Sequence, residues 1–268
     1  MKTRIISGLI MLPMLAVLYF GGYVLMAACF GLTLAAIYEF FKGFDSMGTK
    51  PSYPVAAFST VLLYGYTLYL DLSGSTEGDL ESPFMFWVFI TVAASLIYLF
   101  KIEKRQLQDA MATVTGTLYI AFFAFHMVLV DQTGKPSILI WIIIFSAFGT
   151  DVFAYFTGLA LGRHKLCPSI SPKKTVEGAI GGVMGSIIIC GAFGYFFAEE
   201  YLIHCIILGI LGGIISQLGD LTASIFKRKM GIKDYGHLIP GHGGILDRFD
   251  SVLFTAPMVY YYIIFVIQ

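Results

Sequence analysis

Residues 202–223 read LIHCIILGILGGIISQLGDLTA, and residues 224–250 continue as SIFKRKMGIKDYGHLIPGHGGILDRFD. The first stretch decides the fold. About 20 apolar residues cross the ~30 Å hydrocarbon core of a bilayer as an α-helix, and this stretch holds Asp220 as its one acidic or basic residue. Its apolar residues run on without the alternation of a barrel strand, so a helix is the spanning form. Comparable runs lie at 5–19, 23–41, 54–70, 84–100, 112–130, 138–161, 179–198 and 249–267. With 57% hydrophobic and 13% charged residues among 268, the composition excludes an ordinary soluble domain. The chain reads as all-α, a polytopic integral membrane protein with about nine transmembrane helices.

Charge sidedness supports this count, because Lys and Arg concentrate in cytoplasmic loops. Lys2, Arg4, Lys42, Lys50, Lys101, Lys104, Arg105, Arg163, Lys165, Lys173, Lys174, Lys227, Arg228, Lys229, Lys233 and Arg248 all fall on one side; Lys135 alone falls on the other. The opposite loops carry Asp71, Glu77, Asp79, Glu81, Asp131, Glu199 and Glu200. The expected topology has a cytoplasmic N-terminus and an external C-terminus. The first apolar run follows Lys2 and Arg4, as in a secretory signal, but no small-residue cleavage site follows Phe20 and it is read as a retained helix. Cys29, Cys167, Cys190 and Cys205 form no CxxC pair, which argues for packing over disulfides or thiolate metal sites.

The second stretch gathers phosphate and metal chemistry. Asp220 closes one span about two turns before Lys227, and Asp247 and Asp250 open the next at a spacing that puts both on one helix face. A carboxylate at a span centre costs ~2.5 to 3.5 kcal/mol, so Asp220 requires compensation. Three converging carboxylates beside cations suit Mg²⁺, which takes a few carboxylates with phosphate and water oxygens. A second cation is compatible, since paired metals recur in phosphoryl chemistry. The competing reading makes Asp220 a satisfied intramembrane polar group and the other two mere helix-start residues. Lys227, Arg228 and Lys233 supply charge for phosphates, and Gly243 and Gly244 would let backbone N–H groups approach them. Lys229 reads as topology alone. Gly162 to Gly178 add a second anion-friendly loop, with Pro172 ending any helix and Thr175 as the N-cap of the next span.

The order Ser224, Lys227-Arg228, Lys233-Asp234, Gly236, Ile239-Pro240, His242-Gly243-Gly244, Asp247-Arg248, Asp250 resembles the signature of the phosphatidate cytidylyltransferases, also called CDP-diglyceride synthases. Ser171-Pro172-Lys173-Lys174-Thr175-Val176-Glu177-Gly178 is similar to a second stretch of that family. The likeness is densest over residues 146–251. It implies an enzyme that joins CTP to phosphatidic acid, giving CDP-diacylglycerol and pyrophosphate. It further implies catalytic Asp220, Lys227, Asp247 and Asp250, the three aspartates also holding Mg²⁺. Lys173, Lys174, Thr175, Glu177, Arg228, Lys233, Asp234, His242, Gly243, Gly244 and Arg248 would bind substrate. A homodimer in a bacterial cytoplasmic membrane, with its site facing the cytoplasm and no nucleic-acid partner, completes the expectation.

Residues 1–135 would then form lipid-cavity or dimer helices, and 136–268 the catalytic helices. Asp151, near the middle of its span, is left between bordering a polar cavity and bonding a neighbouring helix, and is not read as a metal ligand. Glu39 is expected to reach water at a helix end. Gly181, Gly182, Gly185, Gly209, Gly212 and Gly213 read as close helix packing. A CDP-alcohol phosphotransferase would need an Asp-Gly-x-x-Ala-Arg opening that is absent. A transporter built on Asp151 and Asp220 leaves unexplained why the polar groups gather at one side.

Overall fold

The computed structural model describes residues 16–74, 81–134, 139–236, 238 and 243–267. Among them are eight helices long and apolar enough to cross a membrane. They are α1 (Gly22–Gly43), α2 (Tyr53–Ser73), α3 (Glu81–Ile97), α4 (Leu107–Gln132), α5 (Leu139–Leu161), α6 (Val176–Phe197), α7 (Leu202–Lys229) and α8 (Leu246–Tyr262). The all-α polytopic reading holds, and the span limits agree to within several residues. The run at 5–19 lies mostly outside the described residues; residues 16–20 are helical and break at Gly21 and Gly22, both with positive φ. The Asp131 carboxylate at the far end of α4 accepts the Gly22 N–H at 2.6 Å.

Local chemistry sets the helix limits. Ser52 caps α2 through the Val55 N–H, with Pro54 in the first turn, and Gly74 ends it at φ 69°. Asp109 and Gln106 form a capping box at the start of α4, and Asp109 also accepts the Lys50 N–H at 2.7 Å. Helix α4 contains a π-turn over Leu118–Phe122, and α8 runs through Pro257 into another at Ile263–Ile267. The loop after α5 is a short antiparallel hairpin, β1 (Lys165–Cys167) with β2 (Ser171–Thr175), pairing Lys165 with Thr175 and Cys167 with Ser171. Thr175 is the N-cap of α6, its hydroxyl accepting the Gly178 N–H, as the sequence suggested.

Glycine lets α5, α6, α7 and α8 approach closely. A Cβ on Gly182 would lie 2.9 Å from the Thr150 carbonyl, and one on Gly213 would lie 3.0 Å from the Val183 Cα. At Gly219 it would meet the Asp250 carbonyl at 2.7 Å. Phe40 of α1 carries the core across to α7 through an edge-to-face contact with Phe226. Outward-facing Phe89, Leu159, Phe196 and Phe265 are exposed, a belt that suits lipid and would be a liability in water.

Candidate active site

The polar loops meet at one end of the bundle. There Ser46, beyond α1, donates to the Met230 carbonyl after α7, and Arg228 Nε donates to Ile170 of the hairpin at 3.2 Å. Met230 ends α7 and Gly231 turns the chain at φ 68°, which returns residues 232–236 toward the start of α8.

Asp247 organises this return. Its Oδ1 pairs with Lys227 Nζ at 2.8 Å, while Oδ2 accepts the Tyr235 N–H at 2.8 Å and the Gly244 N–H at 3.0 Å. The Asp247 side chain is 3% exposed and that of Lys227 14%, so the pair is shielded from water and depends on those added hydrogen bonds to offset desolvation. Lys227 also lies 5.4 Å above the Tyr235 ring. The Tyr235 hydroxyl donates to the Ala223 carbonyl, and burial pushes this phenol far above its ordinary pKa.

The other two aspartates differ in burial, with Asp220 partly exposed and Asp250 buried. Asp220 Oδ2 meets Lys174 Nζ at 2.5 Å. Asp250 is buried against α7, and its Oδ1 accepts the Ser251 N–H at 2.8 Å. The charge of Asp220 reaches both Asp250 and Asp151, and those of Lys174 and Arg248 also reach Asp151. Asp151, Lys173, Lys174, Thr175, Gln217 and Asp220 line a cavity of about 440 Å³ whose remaining wall includes Ala154, Tyr155, Leu159 and Leu166. Asp151 borders this cavity and its carboxylate is also hydrogen-bonded to the Ser251 side chain of the neighbouring α8, so both readings left for it hold.

The sequence-derived residues therefore separate into roles. Lys174, Asp220, Lys227, Asp247 and Asp250 come together, with Lys173 and Thr175 on the cavity wall. Arg228 is exposed in the last turn of α7, and Lys233 and Asp234 are exposed on the loop that follows it. Gly243 holds φ 87° beside Asp247. Glu177 turns to the hairpin instead, accepting the Arg163 and His164 N–H groups and His164 Nδ1. His242 lies outside the described residues. Among the described residues, no group of three or more His, Cys, Asp or Glu side chains is arranged to hold a metal by itself.

Glu39 departs from expectation. It is 5% exposed and does not reach water; Oε1 accepts the Ile245 N–H at 3.1 Å and Oε2 the Leu246 N–H at 3.0 Å. The packing of α1 against the start of α8 causes this. An acid within an apolar run is a sequence signal for it.

The Tyr119 hydroxyl, in the π-turn of α4, is buried with no hydrogen-bond partner among the described residues. An unsatisfied buried hydroxyl costs ~1 to 3 kcal/mol, so Tyr119→Phe should leave the melting temperature in detergent unchanged or raise it. A marked fall would show that the hydroxyl has a partner.

Comparison with known proteins agrees with this geometry. The model of the Cytidylyltransferase family matches residues 2–266. The chain belongs to this family. Its similarity to a protein named phosphatidate cytidylyltransferase from Synechocystis is 35% identity, covering 97% of this chain and 96% of that one. A Staphylococcus haemolyticus protein of the same name is 33% identical, with 97% of each chain covered. A Staphylococcus aureus one is 49% identical over 41% of this chain and 43% of its own.

Proposed function

We propose that this membrane protein condenses CTP with phosphatidic acid to give CDP-diacylglycerol and pyrophosphate. The observation that carries the reading is the cavity beside Lys174 and Asp220, whose lining mixes cations and carboxylates with the apolar Ala154, Tyr155, Leu159 and Leu166. That combination matches a lipid phosphate with its acyl chains. A phosphate oxygen of phosphatidic acid attacks the α-phosphorus of CTP, the bond from that phosphorus to the bridging oxygen breaks, and pyrophosphate leaves with the electron pair. The nucleophile is already an anion at neutral pH, so the protein's work is positioning and charge neutralisation. Lys173 and Lys174 meet the lipid phosphate, while Lys227, Arg228, Lys233 and Arg248 meet the nucleotide.

Mg²⁺ belongs to this reading, and the donor set fits it. Asp220 and Asp250 repel one another across the site, and Mg²⁺ is bound through one or two carboxylates together with substrate phosphates. Those two residues would hold it; Asp247, with three partners already, would act through Lys227. Bound there, the ion would offset the negative charge of the reacting phosphates. The basic end of the bundle faces the cytoplasm of a bacterial inner membrane in this reading, where CTP arrives from the cytosol and the lipid from the bilayer. The N-terminus lies on the same side. A homodimer is part of the same proposal, and the protein mass in detergent, by light scattering, tests it.

Detergent-purified protein given Mg²⁺, CTP and phosphatidic acid should release pyrophosphate and form CDP-diacylglycerol. Omitting either substrate or adding EDTA should stop both. Folded protein that releases none sinks the assignment; activity that survives EDTA removes the metal from it.

A further inference from the structure

Helix α8 carries Asp247 and Asp250 in its first turns, yet Ile245, at its N-cap, contributes no side-chain hydrogen bond to it. The first N–H groups of a helix have no partner within it and require an outside acceptor. Here the acceptor comes from α1, more than 200 residues earlier, where Glu39 takes the Ile245 and Leu246 N–H groups on its two oxygens. The same carboxylate fills the space where Gly236 and Gly244 would carry side chains, for a Cβ at either position would collide with it. Gly244 is thus held between two acids, its Cα against Glu39 and its N–H on Asp247. The next residue of α1, Phe40, packs on the rings of Tyr235, Phe226 and Tyr119.

A buried acid in a membrane helix is an expensive way to cap another helix, since a hydroxyl or amide at the N-cap would serve. What the acid adds is a fixed distance between α1, Gly236, Gly244 and the start of α8. We propose that Glu39 is a positioning residue for the reaction. By gripping the first turn of α8 it fixes where the Lys227–Asp247 pair and Asp250 stand relative to the cavity. Gly236 and Gly244, the second of them read from the sequence as a phosphate-cradling glycine, are small because Glu39 occupies the adjoining space.

The inference rests on the proposed cytidylyl transfer, and its test carries one readout that does not. Glu39→Gln keeps the shape but has one oxygen for two N–H donors; Glu39→Asp keeps the charge but shortens the reach. In both, kcat should fall about 10- to 100-fold, the scale of hydrogen bonds to a charged group, with the KM values for CTP and phosphatidic acid changed about 3-fold or less. Amide exchange over residues 243–250 should accelerate at least about 10-fold, while the other helices exchange as before. Wild-type kcat in both variants overturns the proposal. So does activity lost only in proportion to global unfolding, with no local change in exchange. If the wild-type protein proves inactive with these substrates, the proposed function fails, and the exchange data alone decide whether Glu39 holds α8.

Discussion

Asp247→Asn should lower kcat/KM for CTP by two to three powers of ten in protein that remains folded. Three donors converge on this carboxylate: Lys227 Nζ on one oxygen and the Tyr235 and Gly244 N–H groups on the other. Asparagine offers one oxygen and one NH₂ group. If the oxygen keeps the two N–H groups, the NH₂ faces the Lys227 ammonium; if it turns to Lys227, the NH₂ faces two donors. Removing one partner of a buried ion pair costs ~3 to 5 kcal/mol, and the lower part of that range corresponds to a loss of about two to three powers of ten. Melting temperature should also fall, because Tyr235 and Gly244 lose their shared anchor. The double variant Lys227→Met with Asp247→Asn should lose less than the sum of the single losses, as expected for partners in one contact. Near-normal kcat/KM in Asp247→Asn, or additive losses, would remove the pair from the site.

What the sequence made legible is what depends on neighbours a few residues away. Continuous apolar runs and charge sidedness gave the helices, because a bilayer demands internal hydrogen bonding over a fixed length. Thr175 announced a cap, and the glycines of α6 and α7 announced close packing. Asp247 and Asp250 were placed on one face at the start of the last helix from spacing alone. The hairpin at 165–175 was invisible, since strands of three and five residues are too short to display a period-two pattern. The Lys174–Asp220 pair depends on how the hairpin lies against α7, and the grip of Glu39 on α8 depends on a contact across the whole chain. Glycines 236 and 244 held a trace of that contact, but the sequence context of Gly244 pointed to phosphate and Gly236 stood only as a position in the family signature.

The Lys174–Asp220 pair yields the second large effect, with opposite signs for its two partners. Both side chains are 27% exposed and face the cavity, so the ammonium that neutralises Asp220 also stands where a lipid phosphate would arrive. A cation at Asp220 and an anion at Lys174 each compete with the internal pair, and together they replace it without leaving a charge unmatched. Lys174→Met should therefore raise the KM for phosphatidic acid about 10-fold by removing a charge-assisted contact. It should also lower the Mg²⁺ concentration for half-maximal rate about 3-fold, because a partly exposed ion pair no longer holds the carboxylate. Asp220→Asn should reduce kcat at least about 100-fold, the scale for losing a group that stabilises reacting charge, and excess Mg²⁺ should not restore it. Measuring Mg²⁺ and phosphatidic acid dependence in the two variants separates the roles. If Lys174→Met weakens apparent Mg²⁺ affinity, the lysine is not a competitor for Asp220; if Asp220→Asn recovers at high Mg²⁺, the aspartate tunes affinity and does not support the chemical step.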